Sequence, residues 1–503
     1  MNLIKYPQNI WFKLAFITLA SFLAVVFGFI SVTANPVFIG LAVGLVVGIF
    51  LLAIPKKTIW LVIGLGLATP ALLDMAGHGF SKMLWAISMI ALLLWIPGVL
   101  NLFNFQTKHK KYVPLFIWLA ILFSIYALST SILQLHSIGQ LFSGFKRYFQ
   151  TFGLMLALAT FILTRKDFDQ WLKLLLAIAL LQLPFALFER FVLVPMRGGI
   201  DFGGGQATDI VAGTMGANLS GGSPNAIMVT FILIAFAFVF SRWKAGLIDT
   251  SRIIWLSVIL LLPLVLGETK IVVLMLPLLG LVLLRKDIKQ NPGTYLPVFI
   301  GLLILTTALA YLYVYVMLNS NFTEALVGSL RYNVESVGYG NLLLNRTTVM
   351  SFWWNLHGWH DPIQFLFGHG LGSSYGDGFD AGHIAQIYPN YGINLTTIST
   401  LLWDLGLVGL VLYISIFISA WVLVSKIWHR TNSVKVKADC LSIQVGIAFT
   451  LFFLLYSDSQ VNLLVHEIII AVLLGYTAFL YQELRRDTKF KEPSFSDAKI
   501  HLN

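Results

Sequence analysis

Apolar runs recur along the whole chain, and they constrain the fold more than any other feature. Fourteen segments read as spans: 12–32, 36–54, 59–73, 83–103, 113–133, 149–163, 172–193, 225–242, 253–266, 271–284, 296–318, 400–425, 442–457 and 462–482. As a helix, roughly 20 apolar residues cross the hydrocarbon of a bilayer. A soluble domain has too little interior to hide a chain that is 58% hydrophobic and 11% charged, with a mean hydropathy of +0.84. No small-residue cleavage site follows the first run, so it reads as a span and not as a removable signal. The expected fold class is an all-α polytopic membrane protein of about 14 transmembrane helices.

The formal charge of +11 raises the question of nucleic acid, and the location of the cations answers it. Alternate connections are basic: Lys56-Lys57, Lys108–Lys111, Arg165-Lys166, Arg242 to Arg252, Arg285-Lys286, Lys426–Lys437 and the tail from Arg485. Cytoplasmic loops carry such an excess, so both termini are expected in the cytoplasm and no nucleic-acid partner is implied. All but eight of the 33 Lys and Arg fall on that side. The eight are Lys82, Lys146, Arg147, Arg190, Arg197, Lys270, Arg331 and Arg346. Either they anchor helix ends at headgroups, or several converge on an anion, for which arginine supplies a planar two-pronged donor. The single Cys440 excludes an intrachain disulfide and a cysteine metal cluster.

These alternations divide the chain. Residues 1–193 form an N-terminal bundle of seven helices, 194–224 a first outer loop, 225–318 helices eight to eleven, 319–393 a large outer loop, 394–484 the C-terminal helices and 485–503 a cytoplasmic tail. Long loops in compact proteins are usually functional or disordered. The large loop has tryptophans and phenylalanines with which to pack. Within it, 346–357 has helical spacing, with Val349, Phe352 and Trp353 on one face. Asp361-Pro362 should end that helix, and Gly368-His-Gly-Leu-Gly372 should turn tightly or approach another backbone. His357 and Asp361 would share a helix face and could hold a cation, although Pro362 argues against the helix. The glycine-rich stretch 373–382, with Asp377 and Asp380, is a candidate lid. Gly267-Glu-Thr-Lys270 joins two runs too short for a straight span. That makes Lys270 an ionisable residue below the outer surface, either functional or paired with Glu268.

Four stretches carry a resemblance: Gly213-Thr-Met with Ser223-Pro-Asn225; Glu268-Thr-Lys270; Asn345-Arg346 with Asp361-Pro and Gly368–Gly372; and Trp403-Asp-Leu-Gly-Leu-Val-Gly409. In order and spacing they resemble motifs of the O-antigen ligase and Wzy-type polysaccharide polymerase superfamily of bacterial envelopes, over roughly 180–425. The resemblance implies a GT-C-like glycosyltransferase architecture in the inner membrane, with a large, partly helical periplasmic loop. It implies an undecaprenyl diphosphate-linked oligosaccharide as substrate, membrane lipids and a chain-length regulator protein as partners, and no metal or cofactor. On this pattern Arg346 and Lys270 hold the diphosphate, with lysine standing where the family has arginine, and Arg197 or Arg331 supplies the missing fork. The family's His-Asn pair is replaced by Pro389-Asn390, so His383 or His369 is the candidate acceptor base. Arg190 or Arg147 is expected near the mouth of a groove open to lipid. Trp354 would meet sugar or the membrane interface, and Asn225 would bind substrate.

The absence of the histidine pattern favours a polymerase of repeat units. A ligase that transfers glycan to lipid A-core remains the first alternative. A multispan transporter or flippase is the second, although no half-to-half repeat is visible and the ionisable residues lie in outer loops.

Overall fold

The computed structural model describes residues 50–51, 54–103, 112–196, 210–218, 224–317, 321–335, 338, 342–376 and 381–489. The expected spans 12–32 and most of 36–54, with Arg197, Asp377, Asp380 and the end of the tail, lie outside the described residues. Among the described residues there is helix and no strand.

The principal helices are α1 (Pro55–Ala68), α2 (Pro70–Met75), α3 (Leu84–Leu93), α4 (Trp95–Phe103), α5 (Leu115–Leu133), α6 (Ile138–Phe149), α7 (Phe152–Thr160) and α8 (Arg165–Phe188), which continues through a π-helical turn at Glu189–Leu193. Then come α9 (Asn225–Lys244), α10 (Thr250–Leu266), α11 (Val272–Gln290) and α12 (Pro292–Met317). The large loop supplies α13 (Phe322–Val334), α14 (Thr348–Leu356), α15 (Pro362–Phe367) and α16 (His383–Ile387). α17 (Thr397–Arg430), α18 (Val434–Tyr456) and α19 (Leu464–Lys489) close the chain. Eight helices among the described residues are long and apolar enough to cross a membrane: 84–102, 115–133, 165–196, 225–244, 292–315, 397–430, 434–456 and 464–486. The protein is therefore a multi-pass helical membrane protein.

Local chemistry sets several helix starts. Thr164 and Asp167 form a reciprocal capping box on α8, and Thr396 and Ser399 form one on α17. Ser137 caps α6 by accepting from Gln140 N at 3.0 Å. Asp361 and Pro362 correct an expectation. The preceding helix has already ended at Leu356, and Asp361 caps the next one, its side chain accepting from Gln364 N, with Pro362 in the first turn. Proline starts a helix as readily as it stops one. The span expected at 149–163 holds only the nine-residue α7, which breaks from α6 at Gln150–Thr151.

Ion pairs bring the basic connections together at one end of the bundle. Lys56 meets Asp167 at 2.7 Å, Arg165 meets Glu483 at 2.6 Å, Arg242 meets Asp439 at 2.7 Å, Lys435 meets Asp169 at 2.5 Å, and Lys244 meets Asp287. Each exposed pair is worth about 0–1 kcal/mol, so they fix register more than they stabilise. Arg285 on α11 donates to Gln444 on α18 at this end. With a helical rise of about 1.5 Å per residue, the start of α11 and the end of α18 then lie level at the opposite end. That is the end to which the large loop belongs.

Candidate functional site

The loop end is assembled around a buried carboxylate. Asp404 on α17 is fully buried. It accepts from Gly372 N at 3.0 Å, Ser374 N at 2.9 Å, Ser373 Oγ at 2.8 Å and Tyr148 Oη at 3.0 Å. Four donors match the lone-pair directions of a carboxylate. They pin the Gly368–Ser374 turn between α17 and α6. The glycines permit it: Gly368, Gly370 and Gly372 have φ of +69°, +88° and +77°. A Cβ on Gly368 would lie 2.5 Å from the backbone of Asp404, and one on Gly406, where α17 kinks, would lie 2.4 Å from Leu366. From the other side Gly144 of α6 meets the Leu371–Gly372 peptide, with 2.5 Å to an added Cβ. The turn therefore bends tightly and also touches backbone, as its glycine spacing implied.

This turn carries imidazoles. His369 Nε2 lies 3.2 Å from His357 Nε2, and His369 stacks on Trp403. His357 Nδ1 faces Asp361 Oδ2 at 3.6 Å, an ion contact beyond hydrogen-bond reach. The helix-face pairing of these two residues is thus approximated across a turn. The carboxylate favours a proton on Nδ1 of His357. Its Nε2 then accepts from His369, which leaves Nδ1 of His369 as the basic nitrogen. His383 Nδ1 lies 3.0 Å from Gln140 Oε1, and its ring stacks on that of exposed His136 at 3.9 Å. The His369 and His383 rings are 6.0 Å apart. Burial pushes His369 down to about 3, with His357 and His383 adding repulsion, and burial pushes His383 down to about 4. Both are neutral bases at pH 7. No third metal-ligand type joins the His357–His369 pair in chelating geometry among the described residues.

Beneath the turn sits a second cluster that the sequence reading did not assemble. Arg147 is buried. Its guanidinium donates to Asn462 Oδ1 at 2.6 Å and lies 4.0 Å over the Tyr375 ring. Asn462 and Tyr375 both donate to Asp458, at 3.2 and 3.4 Å. Burial raises Asp458 to about 6, against the pull of Arg147. Arg346 reaches the same turn from the large loop: Nε donates to Tyr456 O at 2.7 Å, Nη1 to Asn333 Oδ1 at 2.8 Å, and its guanidinium lies 4.5 Å over the Tyr456 ring. Two arginines from distant segments thus flank the Tyr456–Asn462 turn. A signal for this was present in α6, where Gln140, Ser143, Gly144 and Arg147 are buried while Ile138 and Phe142 are exposed. A polar stripe at helical spacing on an otherwise apolar helix lines an interior. Directly below, a small cavity of about 30 Å³ lies between α5, α7, α17 and α19, bounded by Tyr148, Tyr413, Gln460 and Glu467.

The other expected residues fall as follows. Lys270 is exposed and forms no ion pair among the described residues, so it is not paired with Glu268. Glu268, at φ +48°, instead meets Arg190 at 2.8 Å. Arg190 does not pair with its neighbour Glu189, which is buried and accepts from Ala212 N and Gly213 N at 3.0 and 2.7 Å. The Gly213-Thr-Met stretch is locked there, with Thr214 bonded to Gln182 and Leu67 O. No described contact joins Lys270 to Arg346, although the α11–α18 register brings their helix ends level. Arg331 is exposed on α13 and lies 3.6 Å from Glu335. Asn225 opens α9 directly after Pro224. Trp354 is 48% exposed and edge-on to Trp359, whereas Trp353 is buried against Phe365. Ser373–Tyr375 and Gly382 are buried, and Gly382 N donates to Tyr375 O at 2.7 Å. The ends of the candidate lid are therefore fixed. No protein-family model matches the chain, and no curated protein matches it.

Proposed function

We propose that this protein is a polymerase of polyprenyl diphosphate-linked oligosaccharide repeat units, acting at the outer face of the bacterial inner membrane through fourteen crossings. The observation that carries this reading is the convergence of Arg346 and Arg147 on the Tyr456–Asn462 turn, next to a glycine turn that holds neutral imidazoles. Displacement at an anomeric carbon needs two things from the protein. The leaving diphosphate gathers charge, and preorganised cations beside it are the largest available catalytic effect. The acceptor hydroxyl must shed a proton, and a neutral imidazole can take it.

In this scheme Arg346 and Lys270 hold the diphosphate, and Arg147 enters from the bundle side in place of Arg331, which is exposed and 3.6 Å from Glu335. His369 Nδ1 receives the acceptor proton while Asp361 and His357 hold its ring, and His383 is the neighbouring base. Exposed Trp354 and Trp359 offer flat faces to sugar rings.

The test is incubation of the purified protein with polyprenyl diphosphate-linked repeat units, following chain growth in wild type, Arg346→Ala and Lys270→Ala. Growth that falls in both variants is expected. Unimpaired growth in both removes these cations from the mechanism. A deletion strain separates the related ligase reading, since it would accumulate single-repeat glycans if the protein polymerises and long unattached polymer if it ligates.

A further inference from the structure

The opposite, basic end of the bundle holds a cluster of cations that the proposed reaction does not use. The ammonium of Lys286, near the end of α11, is buried with no hydrogen-bond partner, 2.9 Å from the centre of the Trp428 ring. Lys437 of α18 approaches the same ring at 5.6 Å. Arg285 stacks over Trp421 at 4.9 Å and donates to Val282 O and Gln444. None of the three cations forms an ion pair among the described residues. The neighbouring carboxylates are taken, Asp439 by Arg242 and Tyr476, and Asp287 by Lys244.

The contrast with the rest of this end is informative. There, five cations from four connections each find a carboxylate. An ammonium with three donors, shielded from water and beside two further cations, is costly unless an anion completes it. Tryptophan and basic residues together at a bundle end are also the side chains that engage lipid headgroups.

We propose that Arg285, Lys286 and Lys437, backed by Trp421 and Trp428, form a binding site for a phosphate group, carried by an anionic phospholipid of the adjoining leaflet or by free phosphate. The phosphate oxygens accept from Lys286 and Lys437, and Arg285 borders them. The acyl chains of a lipid would lie along the exposed apolar sides of α11 and α17. The site is independent of the glycan reading, because it lies at the other end of the molecule.

Full-length protein in neutral detergent would be titrated separately with phosphatidylglycerol, phosphatidylcholine and inorganic phosphate, reading retained lipid by native mass spectrometry and the unfolding midpoint. Retention of phosphatidylglycerol over phosphatidylcholine is expected. Affinity should weaken about fivefold in Lys286→Met and again in Lys437→Gln, from about 1 kcal/mol per basic residue near a charged surface. Lys289→Gln, exposed on the same helix, should leave it unchanged. If Lys286→Met does not fold, Lys437→Gln carries the test alone. Stabilisation of wild type but not Lys437→Gln by inorganic phosphate, without lipid preference, supports the site with a soluble occupant. Equal retention of both lipids with no effect of phosphate, or binding unchanged in the variants, overturns the proposal.

Discussion

Replacing Asp404 tests the architecture of the loop end most directly, because each of its four donors is identified. Gly372 N–H and Ser374 N–H are fixed by the backbone, whereas Ser373 and Tyr148 hydroxyls can rotate towards other acceptors. Asp404→Ala therefore leaves two immovable donors orphaned in a dry site. At about 1–3 kcal/mol for each buried unmet donor, the loss is about 2–6 kcal/mol. Asp404→Asn keeps one acceptor oxygen. Whichever way its amide is turned, the nitrogen faces one of the two backbone N–H groups, so one donor is lost and the cost is about 1–3 kcal/mol. Tyr148→Phe removes a single hydroxyl donor and should cost about 1 kcal/mol. The assay is denaturant unfolding in detergent together with limited proteolysis across 368–376. The expected order is Ala worst, Asn intermediate, Phe mildest, with cleavage in the glycine turn rising in the same order. Asp404→Ala within about 0.5 kcal/mol of wild type, a change expected of ordinary surface sites, with the turn still protected, would refute the view that this carboxylate organises the site.

Arg346→Lys should lose much of the chain growth that Arg346→Ala loses, about 10²–10³-fold, because the two-pronged hold on Tyr456 O and Asn333 is replaced by a point charge; single-turnover kinetics would show it. Gly144→Ala drives a Cβ to 2.5 Å from the Leu371–Gly372 peptide and should destabilise strongly, whereas Gly376→Ala meets nothing within 4 Å and should be silent in the same melt. His369 is held at about 3, below its usual 6.5, so between those values the unfolded chain binds the extra proton. Its burial therefore favours the fold fully above about pH 6.5, and that contribution falls as pH drops towards 3. Asp458, raised to about 6, has the opposite slope between its usual value and 6, so the comparison must be differential: the stability gap between wild type and His369→Gln should be larger at pH 7 than at pH 5. A gap independent of pH would contradict the neutral assignment.

The apolar periodicity by itself determined that the chain is a helical membrane protein, because lipid demands internally bonded backbone over a fixed length. The spacing of basic connections likewise anticipated which segments meet at one end, and the glycine spacing at 368–372 anticipated a close approach. What touches what at the other end was decided only by tertiary structure. Arg147 and Arg346 lie nearly two hundred residues apart along the chain, and each is adjacent in sequence to ordinary loop or helix. Their common target, the short Tyr456–Asn462 turn, carries no motif. The pairings Glu268–Arg190 and Asp404 with the glycine turn were equally silent, since a carboxylate's partner is fixed by helix register and packing and not by its neighbours in the chain. Local periodicity reports what one segment requires of its solvent. The arrangement of charges across segments depends on how all of them pack together.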